Sequence, residues 1–344
     1  MSHDIVDGAD TFEAASVALS AACQAEVDKS IDMLPAHLDC TGLYTNIAQK
    51  RLSGQLHAYK PAHALWSDGA EKQRWLFVPG NKTIDADTPD SWVFPVGTKA
   101  WKEFSVGGQR IETRLYAKTS ASHWSRATYR WNEGETNALR NGGEDITVDG
   151  QVYHLPSGTE CDDCHGGRKD RLLGFEQVSL GLDGATGLTL SELVAQNKLT
   201  NMQGDTHYAI GDDGSGVAAE ALGWLHINCG VSCHNANPNS KGYSRGMRLE
   251  LDPAQLDGQD PSQFLAITTT IGADATTMRW LGHKRIVAGS PEDSLLYTLI
   301  TQRGDKQQQM PPVASRLVDA DNSAIVAEWI EQLKDPSATS TNPL

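Results

Sequence analysis

The chain has 344 residues, enough for about two domains of ordinary size. Hydrophobic residues make up 39% and charged residues 21%, a globular composition that argues against disorder, collagen-like repeats and membrane proteins. The 29 Lys and Arg stand against 44 Asp and Glu, and this net charge of −15 disfavours nucleic acid or an anionic membrane surface as a partner. No apolar run is long enough for a transmembrane helix.

The N-terminal segment is predicted to be helical. Residues 11–30 have a helix-forming composition, and Pro35 lies beyond the end of this helix. Cys23 falls within the helix and Cys40 just after it. We therefore assign residues 1–40 to an N-terminal helical segment.

A β-rich module is predicted over residues 41–210. β-Branched and aromatic residues alternate with Gly-, Asn- and Pro-containing turns, which predicts short strands at 74–78, 92–94, 100–104, 110–118, 127–132 and 151–155. In the strand at 110–118, apolar and polar side chains alternate, which predicts an antiparallel strand buried on one face only. Several such strands at this spacing are typical of a small sandwich or barrel.

Helices dominate the rest of the chain. Helical spacing of apolar residues predicts helices at 188–199, 217–228, 290–303 and 319–334, the third of them capped by Ser290 with Pro291 in its first turn. The Gly- and Asp-rich stretch 211–216 reads as a linker, so residues 215–336 are predicted to form a second domain. The expected fold class is α+β, a mainly β N-terminal module followed by an all-α domain.

Two short cysteine motifs carry the chemistry. The first is Cys161-Asp162-Asp163-Cys164-His165, the C-x-x-C-H attachment signature of c-type haem. Two sulfurs at this spacing reach the two vinyl groups of one macrocycle, and the adjacent histidine becomes the proximal iron ligand. We therefore predict that Cys161 and Cys164 hold one haem covalently and that His165 binds its iron.

The second motif is Cys229-Gly230-Val231-Ser232-Cys233-His234, which has one residue more between its cysteines. Gly230 and Ser232 are small enough to let the extra residue bulge out. We predict a second covalent haem here, with His234 as the proximal ligand.

Other uses of these cysteines stay open: a zinc site, a thioredoxin-like redox pair or structural disulfides. A zinc ribbon prefers a shorter gap than the one between the two pairs, and zinc does not explain a histidine after each pair. A redox C-x-x-C would need a βαβ setting that neither flank offers.

The distal iron ligands are the next expectation. Met310, in the stiff sequence Gln309-Met310-Pro311-Pro312, offers a soft thioether to the second haem, a ligation that raises the reduction potential. Met310 could instead fill a gap in the core, and Met247 or Met278 could take its place. For the first haem, the distal candidates are His63 or His123, followed by His154, His207 and Met202. Without any of them, that iron would be five-coordinate and open to a small ligand such as peroxide.

Several phrases carry a family resemblance. They are Ala64-Leu65-Trp66-Ser67-Asp68-Gly69-Ala70-Glu71-Lys72, Phe94-Pro95-Val96-Gly97-Thr98, Ile111-Glu112-Thr113-Arg114-Leu115, Tyr129-Arg130-Trp131-Asn132, Leu173-Gly174-Phe175 and Asn228-Cys229. In this order, over about 40–335, they resemble bacterial dihaem c-type cytochromes with a β-rich N-terminal module. The arrangement of helices, C-x3-C-H and Met310 over 217–336 resembles a class I cytochrome c domain. The resemblance implies export, two covalent haems and electron transfer, and it implies no particular substrate.

The expected protein is therefore a periplasmic or otherwise exported one-electron carrier with two covalently bound c-type haems. Its partner would be a redox protein with a basic docking patch, because this chain is acidic. Covalent haem is attached where disulfides also form, so a Cys23–Cys40 bridge is expected, with two buried free thiols as the alternative. The start of the chain lacks a signal peptide, and the cysteine chemistry favours a trimmed mature form. Two alternatives stay open: a dihaem peroxidase-like enzyme with one accessible haem, and a redox-linked binding module.

Overall fold

The computed structural model describes residues 20–89, 91–202, 204–256 and 258–334. The first part of the predicted N-terminal helix and the tail 335–344 lie outside these residues. The strands are β1 (Tyr44–Asn46), β2 (Arg51–Leu52), β3 (His57–Lys60), β4 (Glu71–Phe77), β5 (Ile84–Asp85), β6 (Lys99–Val106), β7 (Gln109–Ser120), β8 (His123–Trp131), β9 (Ala138–Asn141), β10 (Glu144–Val148), β11 (Gln151–Leu155), β12 (Thr186–Gly187) and β13 (Leu199–Thr200). The helices are α1 (Ala21–Lys29), α2 (Gly158–His165), α3 (Gln177–Gly181), α4 (Leu190–Ala195), α5 (Ala218–Leu225), α6 (Pro253–Leu256), α7 (Leu265–Thr268), α8 (Leu295–Thr301) and α9 (Ala320–Gln332).

A seven-stranded antiparallel sheet is the centre of the fold, in the order β12-β3-β4-β6-β7-β8-β9. The long neighbours β6, β7 and β8 are joined by short turns, as the Gly107-Gly108 pair between β6 and β7 predicts. Five of the six predicted strands are present, as β4, β6, β7, β8 and β11. The segment 92–94 does not form a strand, because Val93 makes a single bridge to Asp85.

Both faces of the sheet are buried, so the expectation of a half-buried strand at 110–118 is wrong. One face carries Trp75, Trp101 and Leu115 in direct register and packs on the N-terminal residues Leu38 and Leu43. The opposite face carries the polar side chains of the alternation, and Glu112 and Lys118 are almost fully buried there. The alternation predicted that the polar face is exposed to solvent. The segments that cover this face lie far away in the sequence, so the strand itself carries no signal of them.

The predicted all-α C-terminal domain is not present, and the expected fold class is wrong. One hydrophobic cluster runs from the sheet residues Leu76 and Ala100 to Leu222 of α5 and Trp329 of α9. The C-terminal part also contains bridge-paired segments, such as Ile271 with Ile286, between its short helices. Helix and sheet elements therefore share a core, since no C-terminal helix among the described residues is long enough to bury its apolar face alone.

Local signals placed several helices correctly and misplaced one. α4, α5 and α9 lie within the predicted ranges, whereas the helix predicted from Ser290 begins at Leu295. Ser294 Oγ donates to the Ser290 carbonyl and the Ser294 amide donates to the Pro291 carbonyl, so residues 290–294 form a turn before the helix. None of the described helices has the length and apolar character needed to cross a bilayer.

The N-terminal segment is attached to the sheet by polar and covalent links. A disulfide joins Cys23 of α1 to Cys40. Glu26 accepts hydrogen bonds from the backbone of Ala36 and His37, and Asp32 pairs with Arg140 of β9. α1 itself buries no residue, so these links hold it in place.

Candidate functional site

The first cysteine motif occupies the last turn of α2. Ser157 and Glu160 form a capping box that starts the helix immediately after β11. Cys161 and Cys164 are three residues apart and therefore share a helix face with His165. Arg126 of β8 anchors this helix to the sheet, because its guanidinium donates to the Gly158 carbonyl and pairs with Asp162.

The second motif follows α5 through a π-helical turn at His226–Gly230. The amide of His234 bonds the carbonyl of Cys229 over five residues, at 2.8 Å. This i to i+5 bond closes one turn over the longer motif, as an ordinary helical turn does over C-x-x-C-H. The extra residue of C-x3-C-H is thus absorbed in the backbone, and each motif spans a single turn.

A close backbone contact joins the two motifs. A Cβ on Gly167 would lie 2.1 Å from the carbonyl oxygen of Ser232, so glycine is required at this contact. Asp163, inside the first motif, pairs with Lys241 at 2.5 Å. The pKa of Cys164 is raised to about 12, first by burial and then by the neighbouring Cys233. The two motifs, remote in sequence, are therefore direct neighbours in space.

His165 is oriented by one hydrogen bond and one stacked ring. Its Nδ1 lies 2.5 Å from the Arg171 carbonyl, which fixes Nδ1 as the donor and leaves Nε2 unprotonated when the ring is neutral. Tyr116 of β7 stacks on the imidazole at 4.4 Å between ring centroids. The pKa of His165 is lowered to about 3, chiefly by burial and then by the positive charge of Lys102.

His234 is positioned through its backbone and not through a ring hydrogen bond, since its Nδ1 is buried without a partner among the described residues. Its backbone carbonyl accepts from the amide of Leu249, and Asn235 caps the turn by donating to the Gly230 and Val231 carbonyls. The pKa of His234 is lowered to about 4, chiefly by burial and then by Arg285. Both histidines are therefore neutral imidazoles, the form that can bind iron.

One cavity of about 950 Å³ opens between the motifs, a size at the upper end of ligand pockets. Cys164, His165, Cys229, Cys233 and His234 all line it. Its apolar wall comes from the loop before α3 and from α8, including Leu172, Leu173, Leu295, Leu296 and Leu299. The sequence predicted two separate haem sites, and the structure places both histidines and three of the four cysteines on one cavity. Cys161 is buried in the hydrophobic core and does not line this cavity.

Met310 lines the same cavity. Its amide donates to the carbonyl of Leu299 at 2.7 Å, and its side chain packs on Leu295 and Leu299. Gln309 fixes the loop by donating to the carbonyls of Pro311 and Ser315. The thioether is thus held against α8, in a cavity that residues of both cysteine motifs also line.

The rival methionines and the distal histidines lie in different places. Met247 also lines the cavity, whereas Met278 is 85% exposed and does not. His63 packs on Gly223 of α5, and His123 is exposed at the start of β8; neither lines the cavity.

The remaining candidates are similarly divided. His154 lines the cavity with Nδ1 and Nε2 bonded to Asp145 and Glu160, and His207 pairs with Asp183 on the surface. Met202 packs against the main core and is not part of the cavity wall.

Sequence reasoning missed the residues that join the two halves around the site. Asn228, directly before Cys229, accepts from the amide of Trp66 and donates to the carbonyl of Ala64. Asp68 accepts from the amides of Arg316 and Leu317, beyond Met310. The phrases containing Trp66 and Asn228 carried the family resemblance in the sequence, but nothing in the sequence predicted that these two segments contact each other.

The residues present fit a c-type haem. Within the described ranges, no three His, Cys, Asp or Glu side chains converge to hold a metal ion by themselves. Haem does not need such a cluster, because the porphyrin supplies four nitrogens and the protein only axial ligands. Arg74, which is buried and lines the cavity, leaves Nε and Nη2 without a hydrogen-bond partner among the described residues. Such orphaned donors fit the carboxylates that a haem would bring.

The charge of the cavity is opposite to that of the chain. Nine Lys and Arg side chains line it against three carboxylates, in a protein with 29 cations and 44 acids. The cations are Lys72, Arg74, Lys102, Arg114, Arg245, Arg279, Arg285, Lys306 and Arg316. A cavity of this charge attracts an anionic occupant.

Compared with known proteins, the chain matches no family profile, no curated protein and no solved structure. The resemblance to dihaem cytochromes therefore stays a prediction from the sequence, and the function has to be argued from the site itself.

Proposed function

We propose that this protein is an exported dihaem c-type cytochrome that carries single electrons between redox partners. The observation that carries the proposal is that residues of both cysteine–cysteine–histidine turns, His165 and His234 among them, line one cavity together with Met310. Cys161 and Cys164 would hold one haem with His165 on its iron. Cys229 and Cys233 would hold the other, with His234 and Met310 as the residues that bind its iron.

The chain's own residues would do three things for bound haem, which itself supplies the one-electron change at iron. Arg171 and Tyr116 hold the His165 ring in place, and the bond from Nδ1 to the Arg171 carbonyl leaves Nε2 unprotonated and able to bind iron. Leu172 and Leu296 keep water from the buried edges of the cavity. The Gly167–Ser232 contact keeps the two motifs close, which favours electron transfer between the groups they hold.

Compartment and partner form the next part of the proposal. The Cys23–Cys40 disulfide supports an exported location, because cytoplasmic thiols are kept reduced. The net charge of −15 supports a redox partner with a basic docking patch.

A second candidate function is a dihaem peroxidase-like enzyme with one ligand-accessible iron. The observation that favours it is that His63 and His123 both lie away from the cavity that contains His165. His154 does line this cavity, but both of its ring nitrogens are bonded, to Asp145 and Glu160. The iron on His165 would then keep an open position for peroxide or another small ligand.

The deciding experiment uses protein produced in a host that attaches c-type haem. It measures the intact mass of the denatured protein and the absorption spectrum of the native protein. We expect the mass of two haems, and the loss of one haem in Cys161→Ala/Cys164→Ala and of one in Cys229→Ala/Cys233→Ala. The control Cys23→Ser/Cys40→Ser should keep both. Colourless or zinc-loaded protein would refute the proposal. A high-spin haem that shifts on adding peroxide would favour the enzyme over the carrier.

A further inference from the structure

Three cations stand side by side across the sheet on the wall of the cavity. Arg74 of β4 is directly opposite Lys102 of β6, and Lys102 is directly opposite Arg114 of β7. All three line the cavity. We call Arg74, Lys102 and Arg114 the cationic row.

The cationic row has too few negative partners within the protein. Arg114 forms a two-point pair with Glu112, at 2.9 and 2.5 Å. Among the described residues, Lys102 donates a hydrogen bond only to the Leu173 carbonyl, at 3.3 Å. Arg74 is 5% exposed, and its Nε and Nη2 are without a partner among the described residues. Two of the three charges are therefore uncompensated.

Such an arrangement costs stability unless something neutralises it. Like charges directly opposite on neighbouring strands repel one another, and a buried cation loses its hydration. The effect of desolvation is visible in Lys102, whose pKa is lowered to about 7, first by burial and then by Arg74. A sheet that retains three such residues in one row is suited to binding an anionic group against that row.

We infer that the cationic row is a binding site for a carboxylate group inside the cavity. The inference rests on the proposed function, since haem brings two propionate carboxylates into this space. A free organic acid entering the cavity would present the same chemistry, and the experiment below separates the two sources.

The row lies beside the first motif. Arg114 is two residues before Tyr116 in β7, so both side chains are on the same face of the strand, and Tyr116 stacks on the His165 ring at 4.4 Å between centroids. Any carboxylate held by Arg74 and Lys102 would therefore act most strongly on the haem attached at Cys161 and Cys164.

The test is the unfolding temperature of Arg74→Met in the haem-loaded protein. This temperature should change in opposite directions depending on whether Arg74 binds a carboxylate. If Arg74 binds a buried carboxylate, its removal leaves that carboxylate unpaired, and the unfolding temperature falls by several degrees. If no carboxylate is present, removing an unpaired buried cation next to Lys102 raises it. The matched control is Arg130→Met, because Arg130 is exposed on the same sheet and pairs only with Glu144 among the described residues.

The second readout is the reduction potential of each haem. In Arg74→Met, one of the two potentials should fall by at least 59 mV, a tenfold loss in its reduction equilibrium, since an unpaired carboxylate favours ferric iron. Arg74→Lys, which keeps the charge, should restore most of this shift. If Arg74→Met fails to accumulate, Lys102→Gln offers the same comparison within the cationic row.

Replacing chloride with acetate at constant ionic strength distinguishes a haem propionate from a free organic acid as the source of the carboxylate. A propionate source leaves the wild-type potentials unchanged, and a free acid source moves them with saturation. Unchanged potentials together with a raised unfolding temperature in Arg74→Met would overturn the inference. The mass of the attached haem is measured first, so a missing haem refutes the proposed function and is not mistaken for failure of the cationic row.

Discussion

Trp329→Ala tests whether the sheet and the C-terminal helices form one cooperative unit. Trp329 lies in the last helix, α9, and is completely buried in the cluster that also contains Leu76 and Ala100 of the sheet. Its indole Nε1 donates to Asp213 at 2.8 Å. Its replacement therefore removes a large side chain from a core to which both parts contribute.

The expected loss is large for one substitution. Replacing a buried tryptophan by alanine costs about 3–5 kcal/mol through lost contacts and the remaining cavity. The lost hydrogen bond adds about 1 kcal/mol, so we expect the free energy of unfolding to fall by roughly 4–6 kcal/mol. With an unfolding entropy of about 2.1 cal/mol/K per residue over 344 residues, the midpoint temperature should fall by roughly 6–8 °C.

The assay is hydrogen exchange of the haem-loaded protein, read separately for β6–β8 and for α5 and α9. We expect the opening free energy of the sheet amides to fall by the same amount as that of the helix amides, with one thermal transition. Trp280→Ala is the control, since Trp280 is only partly buried in a turn at the cavity edge. Its loss should be less than half as large.

The reasoning is refuted if the sheet amides keep their wild-type protection while only the helices lose theirs. That result would mean two independently folded domains, as the sequence alone predicted. Two separate melting transitions in the wild-type protein would have the same meaning.

Three further predictions concern the ligand loop, the disulfide and acid stability. Met310→Ala should lower one haem potential by more than 59 mV and open that iron to added imidazole, whereas Met247→Ala should do neither; equal effects of both would contradict the assignment. Cys23→Ser/Cys40→Ser should reduce the free energy of unfolding in urea by about 3 kcal/mol, the value expected when a disulfide that closes a loop with a sequence separation of 17 is removed. An unchanged free energy would show that the N-terminal segment unfolds on its own. Burial raises the pKa of Glu176, but the neighbouring His226, whose Nε2 lies 3.6 Å from Glu176 Oε1, and the charge of Arg168 outweigh it and lower this pKa to about 2. A carboxyl group whose pKa is lower in the folded protein stabilises the fold at pH values above its unfolded pKa of about 4.5. This contribution is lost as the pH falls from about 4.5 towards 2, at about 1.4 kcal/mol per pH unit. The free energy of unfolding in urea should therefore depend less on pH over this range in Glu176→Gln than in the wild type.

The sequence predicted those parts of the site whose residues are neighbours in the chain. The spacing of Cys161, Cys164 and His165 places them on one helical turn, and the structure has that turn in α2. The alternation in β7 also located the strand and its two faces correctly. Such features depend on the period of the backbone, which a short stretch of sequence determines.

Neighbours that come from distant segments were not predictable. The cationic row depends on the register of three strands, and the orientation of His165 depends on Arg171 and Tyr116. The five-residue turn at Cys229 depends on the packing of Gly230, where a Cβ would lie 2.4 Å from the backbone of Glu250. No local pattern contains these partners.

By itself the sequence determined the two cysteine–histidine turns, the main strands and the amphipathic helix at the C-terminus. Only the tertiary structure decided that both turns face one cavity, that the polar side of the sheet is its wall, and that the helices share the core of the sheet. The physical reason is that periodicity shows which side of an element is apolar, whereas burial depends on what covers that side. Here the covering segments, such as α9 on the cluster of Leu76, are about 250 residues away in the chain.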